Sequence, residues 1–134
     1  MIKVEAIINA DIEKVWNCWN SAAHITQWCF ASDDWHAPQA VNDLKVGGNF
    51  VTTMAAKDGS FSFDFGGIYS AVEKHSHIAY TMGDGRKVEV HFAKSTDGVV
   101  VTEMFEPESQ NSEEMQQAGW QAILNNFKKH VESV

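Results

Sequence analysis

The sequence predicts an α+β domain: a strand, two short helices, five or six antiparallel strands, then one long C-terminal helix. Three observations predict it. Apolar residues alternate at the N-terminus and then change to helical spacing. A central run of strands is broken only by hairpin-length turns, which make antiparallel neighbours because parallel strands need long crossovers. The last twenty-odd residues form one amphipathic stretch. Strands and helices are thus segregated rather than alternating, the mark of α+β over α/β.

"IKVEAII" places Ile2, Val4, Ala6 and Ile8 on one side of the first strand. Asn9 or Asp11 can cap the helix that follows, where Ile12, Val15, Trp16 and Trp19 fall at helical spacing. "SAAHITQW" reads as a second short helix with Ser21 as its cap. From Cys29 to Asp43 no period is visible, which predicts a long loop. "GGNFVTTMA" opens the main run of strands, and "KDG", "GDG" and "TDG" mark tight turns between "SFSFDFGGIYSAVEK", "HIAYTM", "RKVEVHFAKS" and "VVVTEMFEPE". Gly66 and Gly67 lie inside a strand pattern and predict a bulge or sharp bend. The last helix starts near Asn111 or Ser112. Gln116, Gly119, Trp120, Ile123, Phe127, His130 and Val131 fall on one side, with Glu114, Gln121, Asn125, Lys128 and Glu132 on the other.

The 134 residues are read as a single domain, 1–134, long enough for a real core. An apolar share of 44% with a charged share of 21% excludes a disordered chain. The formal charge of −8 argues against nucleic acid and anionic membrane surfaces as partners. No apolar run reaches the ~20 residues of a membrane span. "MIKVEAIINAD" alternates like a strand and lacks signal-peptide regions, so a cytoplasmic location is expected. Cys18 and Cys29 have no metal or redox spacing and read as two buried thiols.

With these elements in place, "ASDDWHAP", "NDLKVGGNF", "FDFGGIY", "YTMGDGRKVEV" and above all "EMQQAGWQAILNNFKKHVE" resemble the START-like (SRPBCC) superfamily. Within it they resemble the activator-of-heat-shock-protein-90-ATPase homologue-like family, over essentially the whole chain. The resemblance implies the helix-grip (START/Bet v-like) fold, a curved antiparallel sheet wrapped around the C-terminal helix with an internal cavity between. Members of the superfamily bind lipids, hormones or polyketides, and a few catalyse cyclisation or hydrolysis. The eukaryotic activators carry a further N-terminal chaperone-engaging domain that does not fit within 134 residues. Chaperone activation therefore rests on fold analogy alone.

The candidate ligand-binding set is Trp28, Phe30, Phe50, Met54, Phe63, Phe65, Tyr80, Met82, Glu103, Phe105, Gln116 and Trp120. Aromatics and methionines make an adaptable apolar wall, although most would be core in any small domain. Gly119 would let a strand or ring approach the helix. Trp120 is either packing or pocket lining, and Gln116 would stand near the mouth. Glu103 shares its parity with Val99, Val101 and Phe105, while Val100, Thr102 and Met104 share the other, so its inward or outward aim stays open. Facing inward, it would be a buried carboxyl with a raised pKa and a natural handle for a ligand.

"SDDWH" offers Asp33, Asp34 and His36, which read first as a solvated loop. His75 and His77 need a ligand from elsewhere to hold metal, and none is evident; His91 belongs on the exposed sheet face. No nucleophile elbow, zinc-protease, P-loop or dinucleotide motif occurs. No cofactor and no metal are expected. The reading favours a binder of a small hydrophobic or aromatic molecule over a catalyst and leaves enzymatic activity open. A hydrolase or cyclase using Glu103, or the Asp33/His36 loop, is the rival. A chaperone-regulating module comes third, and a homodimer through the outer sheet face stays open.

Overall fold

The computed structural model describes residues 1–134. In chain order come β1 (Ile2–Ile8), α1 (Ile12–Asn20), α2 (Ala22–Trp28), β2 (Trp35–Asn42), β3 (Asn49–Ala56), β4 (Ser62–Glu73), β5 (His77–Met82), β6 (Lys87–Ser95), β7 (Gly98–Phe105) and α3 (Glu113–Ser133). All the strands form one sheet in the order β1-β7-β6-β5-β4-β3-β2, antiparallel throughout. The first two strands of the sequence thus lie at its opposite edges, with α1 and α2 bridging between them. This is the helix-grip arrangement, with α3 held by the curled sheet.

The local signals act as expected at most positions. The alternation of β1 buries Ile2, Val4 and Ile8 and exposes Lys3, Glu5 and Ile7. Asp11 caps α1 by accepting from the Lys14 amide at 2.8 Å, and Ser112 caps α3 through the Met115 amide at 3.1 Å. Ser21 stands at the α2 N-cap without a side-chain cap bond.

Two expectations need correction. The stretch read as a loop from Cys29 to Asp43 contains β2, an edge strand paired only to β3. Its period is hidden by a register shift between His36 and Gln39 and by Pro38, which an edge tolerates because its amide side is free. The irregularity in β4 falls between Tyr69 and Ala71, not at the glycine pair, whose register with β3 is continuous. Gly66 and Gly67 serve close approach instead. A Cβ on Gly66 would lie 2.2 Å from the Phe50 carbonyl oxygen, and one on Gly67 2.6 Å from that of Thr81. Neighbouring strands therefore crowd β4 here.

The core lies between the concave sheet face and the helices. Leu124, Phe127 and Val131 of α3 are fully buried. Leu124 belongs to the inward row although the helical face read from the sequence omits it. Phe127 sits edge-on to Trp19 and Trp28 at centroid distances of 4.9 and 4.8 Å, contacts worth ~0.5–1.5 kcal/mol each beyond burial.

The polar side of α3 has structural work as well. Gln117 Nε2 donates to the Lys3 carbonyl, Gln121 Nε2 to that of Glu5, and Lys128 Nζ to that of Ile7, while Glu132 accepts from the Asn9 amide. Four helical residues rise ~6 Å and two strand residues ~6.6 Å, so the steps from Gln117 to Gln121 and from Lys128 to Glu132 match β1; between them the helix advances seven residues, and the long Lys128 side chain reaches back to Ile7.

Candidate functional site

The curled sheet does not close on α3 along its whole length. Towards the N-terminal half of the helix a cavity of about 540 Å³ opens between them, within the ~300–1,000 Å³ range of small-molecule sites. Phe50, Met54, Phe65, Tyr69 and Tyr80 project from β3, β4 and β5 to form the floor; Trp120 and Ile123 of α3 form the roof; Ile25, Trp28 and Cys29 form one side. Phe50 and Tyr80 meet edge-on at 4.7 Å and Phe50 stacks obliquely on Tyr69 at 5.2 Å, so the floor is a single aromatic surface. The rim is polar: Asp84, Arg86, Glu108 and Asn111. Arg86 Nε donates to Asp84 at 2.7 Å, which fixes the turn at the mouth.

The structure resolves the orientation of Glu103. Val99, Val101, Glu103 and Phe105 form the buried parity of β7, and Glu103 is only 5% exposed. Its cross-strand partners are Val4 and Val90, both buried. A carboxyl between two valines loses its hydration, and burial alone pushes its pKa from 4.5 up to about 8. It is therefore largely protonated at neutral pH and can donate a hydrogen bond into the cavity it lines. Tyr80 and Cys29 lie within its field: burial first, and the Glu103 charge second, hold the Tyr80 phenol well above its ordinary value and push the Cys29 thiol up to about 12. Glu103, Tyr80 and Cys29 thus stand within one another's field on the cavity wall, each held towards its neutral form.

A second polar chain stiffens the rear. The Tyr69 hydroxyl donates to Asn42 Oδ1, and Asn42 Nδ2 donates to the Asn20 carbonyl at 2.7 Å, tying β4 through β2 to the end of α1. Gln116 fixes the other end. Its amide accepts from the Glu108 amide at 2.9 Å and donates to the carbonyls of Glu108 and Asn111 at 3.0 and 2.9 Å. All of its bonding points inward to the β7–α3 connection, so it builds the mouth as a clamp.

With this geometry in view, the comparisons with known proteins decide the family. The model of the family described as activator of Hsp90 ATPase homolog 1-like protein matches residues 9–132. The chain belongs to that family. A solution structure of an AHSA1-like protein from Aeromonas hydrophila is 47% identical, with a TM-score of 0.93 over 98% of this chain and 92% of that one. A solution structure from Cytophaga hutchinsonii is 57% identical, with a TM-score of 0.85 over 98% and 92% of the two chains. A crystal structure from Nitrosomonas europaea, at 13% identity and a TM-score of 0.83 over 98% and 94%, shares the fold. No curated protein matches the sequence.

In this AHSA1-like chain, Trp28, Phe50, Met54, Phe63, Phe65, Tyr80, Met82, Glu103, Gln116 and Trp120 all border the cavity. Phe105 does not. It is fully buried behind Trp120, on which it stacks at 3.9 Å and 11°, so it orients the lining residue. Phe30 lines a shallower adjoining recess with Trp35 and Gly119. Gly119 serves no close approach, since a Cβ there would meet nothing within 4 Å. Tyr69, Asn42, Arg86 and Ile123 escaped the sequence reading. Tyr69 shares strand parity with Phe63 and Phe65, and Ile123 already lay on the inward helical row, so both carried a usable signal. Asn42 and Arg86 are brought in by tertiary folding alone.

Asp33, Asp34 and His36 are exposed before and at the start of β2. His77 finds its missing neighbours across the strand pair: its Nε2 lies 3.1 Å from Glu89, and its ring stacks on His91 at 4.5 Å. No helix is long and apolar enough to cross a membrane.

Proposed function

We propose that this AHSA1-like chain binds one small, largely aromatic or apolar molecule that carries a hydrogen-bond acceptor. The observation that carries this reading is Glu103: a buried carboxyl, neutral at physiological pH, facing a cavity whose floor and roof are aromatic. A core designed only for stability has no use for such a group, because burying an ionisable side chain costs free energy that a hydrophobic isostere does not. An acceptor on the ligand, a carbonyl above all, supplies the partner the carboxyl needs, and the aromatic walls take the body. The charge of −8 supports a small-molecule partner over nucleic acid or an anionic membrane, and two free buried cysteines fit a cytoplasmic setting. A chaperone-regulating role rests on the family description alone. A homodimer through the outer sheet face has no supporting geometry of its own.

The test compares naphthalene with 2-acetylnaphthalene, which share a body and differ by one carbonyl. Quenching of tryptophan fluorescence reports both, because Trp28 and Trp120 line the cavity. The acetyl compound is expected to bind about tenfold tighter, and Glu103→Leu to erase that difference. Equal affinities in the native protein, or no saturable quenching by either compound, would sink the proposal. Acid catalysis by the same carboxyl is the second reading, and turnover of an acetylated or ester-bearing analogue during the titration would distinguish it.

A further inference from the structure

Away from the cavity, one side-chain cluster has donor chemistry that no hydrophobic ligand explains. Cys18 on α1, His24 on α2 and His130 on α3 bring their ligating atoms within 4.8 Å of one another. Cys18 Sγ lies 3.8 Å from His24 Nδ1, and the same nitrogen lies 2.9 Å from His130 Nε2. We propose that these three side chains form a zinc site, with Cys18 Sγ, His24 Nδ1 and His130 Nε2 as ligands and a fourth position open to water or an exogenous donor.

The geometry carries the assignment. With Zn–S of ~2.3 Å, Zn–N of ~2.0–2.1 Å and tetrahedral angles, ligand atoms stand ~3.6 Å apart for S···N and ~3.3 Å for N···N. The observed 3.8 and 2.9 Å differ from these by only a few tenths of an ångström, in opposite directions. A small swing of the His24 ring from His130 towards Cys18 would bring both closer to these values, while Cys18 and His130, within 4.8 Å, would have to close on the ion by side-chain adjustment. One thiolate and two imidazoles are the donors that borderline-soft Zn²⁺ selects over the oxygen-seeking Mg²⁺ and Ca²⁺. The positions also suit the ion. Cys18 is 1% exposed, which shields the sulfur, while both histidines are partly exposed and give the ion its way in. On binding, the Cys18 thiol gives its proton to solvent, and whichever ring donates the His24–His130 hydrogen bond shifts its proton through solvent to its other nitrogen; two Zn–N bonds replace that hydrogen bond, and no electron is transferred.

The second histidine cluster, His77, Glu89 and His91, is a weaker candidate. His77 is already committed to Glu89, and the group lies on the outer sheet face with nothing to close over an ion. It also lacks sulfur, which lets the two sites be told apart. The site proposed here would fasten the three helices that flank the cavity, since α2 supplies Ile25 and Trp28 to its side and α3 its roof.

The test is a Co²⁺ titration of the chelator-treated full-length chain, followed by displacement with Zn²⁺. A thiolate-to-cobalt charge-transfer band in the near ultraviolet should saturate at one equivalent and be bleached by one equivalent of Zn²⁺. Cys18→Ser should abolish the band, while Cys29→Ser and the His77→Ala/His91→Ala double variant should keep it. His24→Asn, at a partly exposed position, covers the case in which Cys18→Ser fails to fold; it should weaken Co²⁺ binding by at least tenfold and remove the rise in Tm that Zn²⁺ gives the native chain. Absence of the band in the native protein, or its survival in Cys18→Ser, overturns the proposal. So does unchanged affinity in His24→Asn.

Discussion

The two halves of α3 share one helical face and do opposite things with it. In the C-terminal half, Leu124, Phe127 and Val131 are fully buried against the sheet and against Trp19 and Trp28. In the N-terminal half, the same row offers Gln116, Gly119, Trp120 and Ile123, and a cavity lies beneath it. The difference is set by what stands opposite. The C-terminal half meets α1 and α2, and Asn126 is bonded to the Trp28 carbonyl at 2.8 Å. The N-terminal half faces α2 only across the cavity, whose side Ile25 and Trp28 form, and one stacked pair, Trp120 on Phe105, holds the roof. Amphipathicity therefore fixes which side of a helix is inward but not whether the space under it is filled.

The comparison breaks most visibly at Phe127. Phe127→Ala should cost about 3–5 kcal/mol by urea denaturation, whereas Ile123→Ala, four residues away on the cavity side, should cost less than about 2 kcal/mol. Equal losses would mean that the cavity is packed in solution. The next effect is a pH dependence confined to the open half. The folded pKa of Glu103, about 8, lies above its ordinary 4.5. Its contribution is therefore fully present below about 4.5 and is lost as pH rises through about 8, on the order of a few kcal/mol in total. Denaturation at about pH 6 and about pH 9 should show native stability falling relative to Glu103→Gln. A constant difference between the two proteins would place Glu103 in contact with water. The smallest effect is a gain. Gly119→Ala meets open space, and should stabilise the helix by roughly 0.5–1 kcal/mol while narrowing the recess beside the mouth. A loss of stability there would show that the recess closes on the helix.

Much of the fold was legible because periodicity and turn chemistry are local. β1 and the hairpin order are where the residues say they should be, and of the two caps offered for each of α1 and α3 the structure takes Asp11 over Asn9 and Ser112 over Asn111. Leu124 carried the same signal, at i+4 from Trp120 and i−3 from Phe127, yet the helical face read from the sequence leaves it out. β2 was not, since an edge strand with a bulge and a proline buries too little for alternation to show. At the site, strand parity could not choose a face for Glu103, because both faces of β7 carry apolar residues. Parity also could not separate Phe105 from the true lining, because depth along a strand is a tertiary property. The two histidine clusters depend on residues from different elements, and spacing within one element cannot reveal them.

The ladder of Gln117, Gln121, Lys128 and Glu132 along β1 has a bearing on self-association. A sheet with two ends has two places where another chain could add itself. At β1 the helix already occupies the hydrogen-bonding groups of Lys3, Glu5, Ile7 and Asn9, acting as a surrogate neighbour. At β2, Pro38 and the bulge spoil the template. Detachment of α3 would uncover that sheet edge and the aromatic floor together, offering a nucleation surface for cross-strand stacking between molecules. Any contact that keeps the helix seated thereby also guards the chain against clumping.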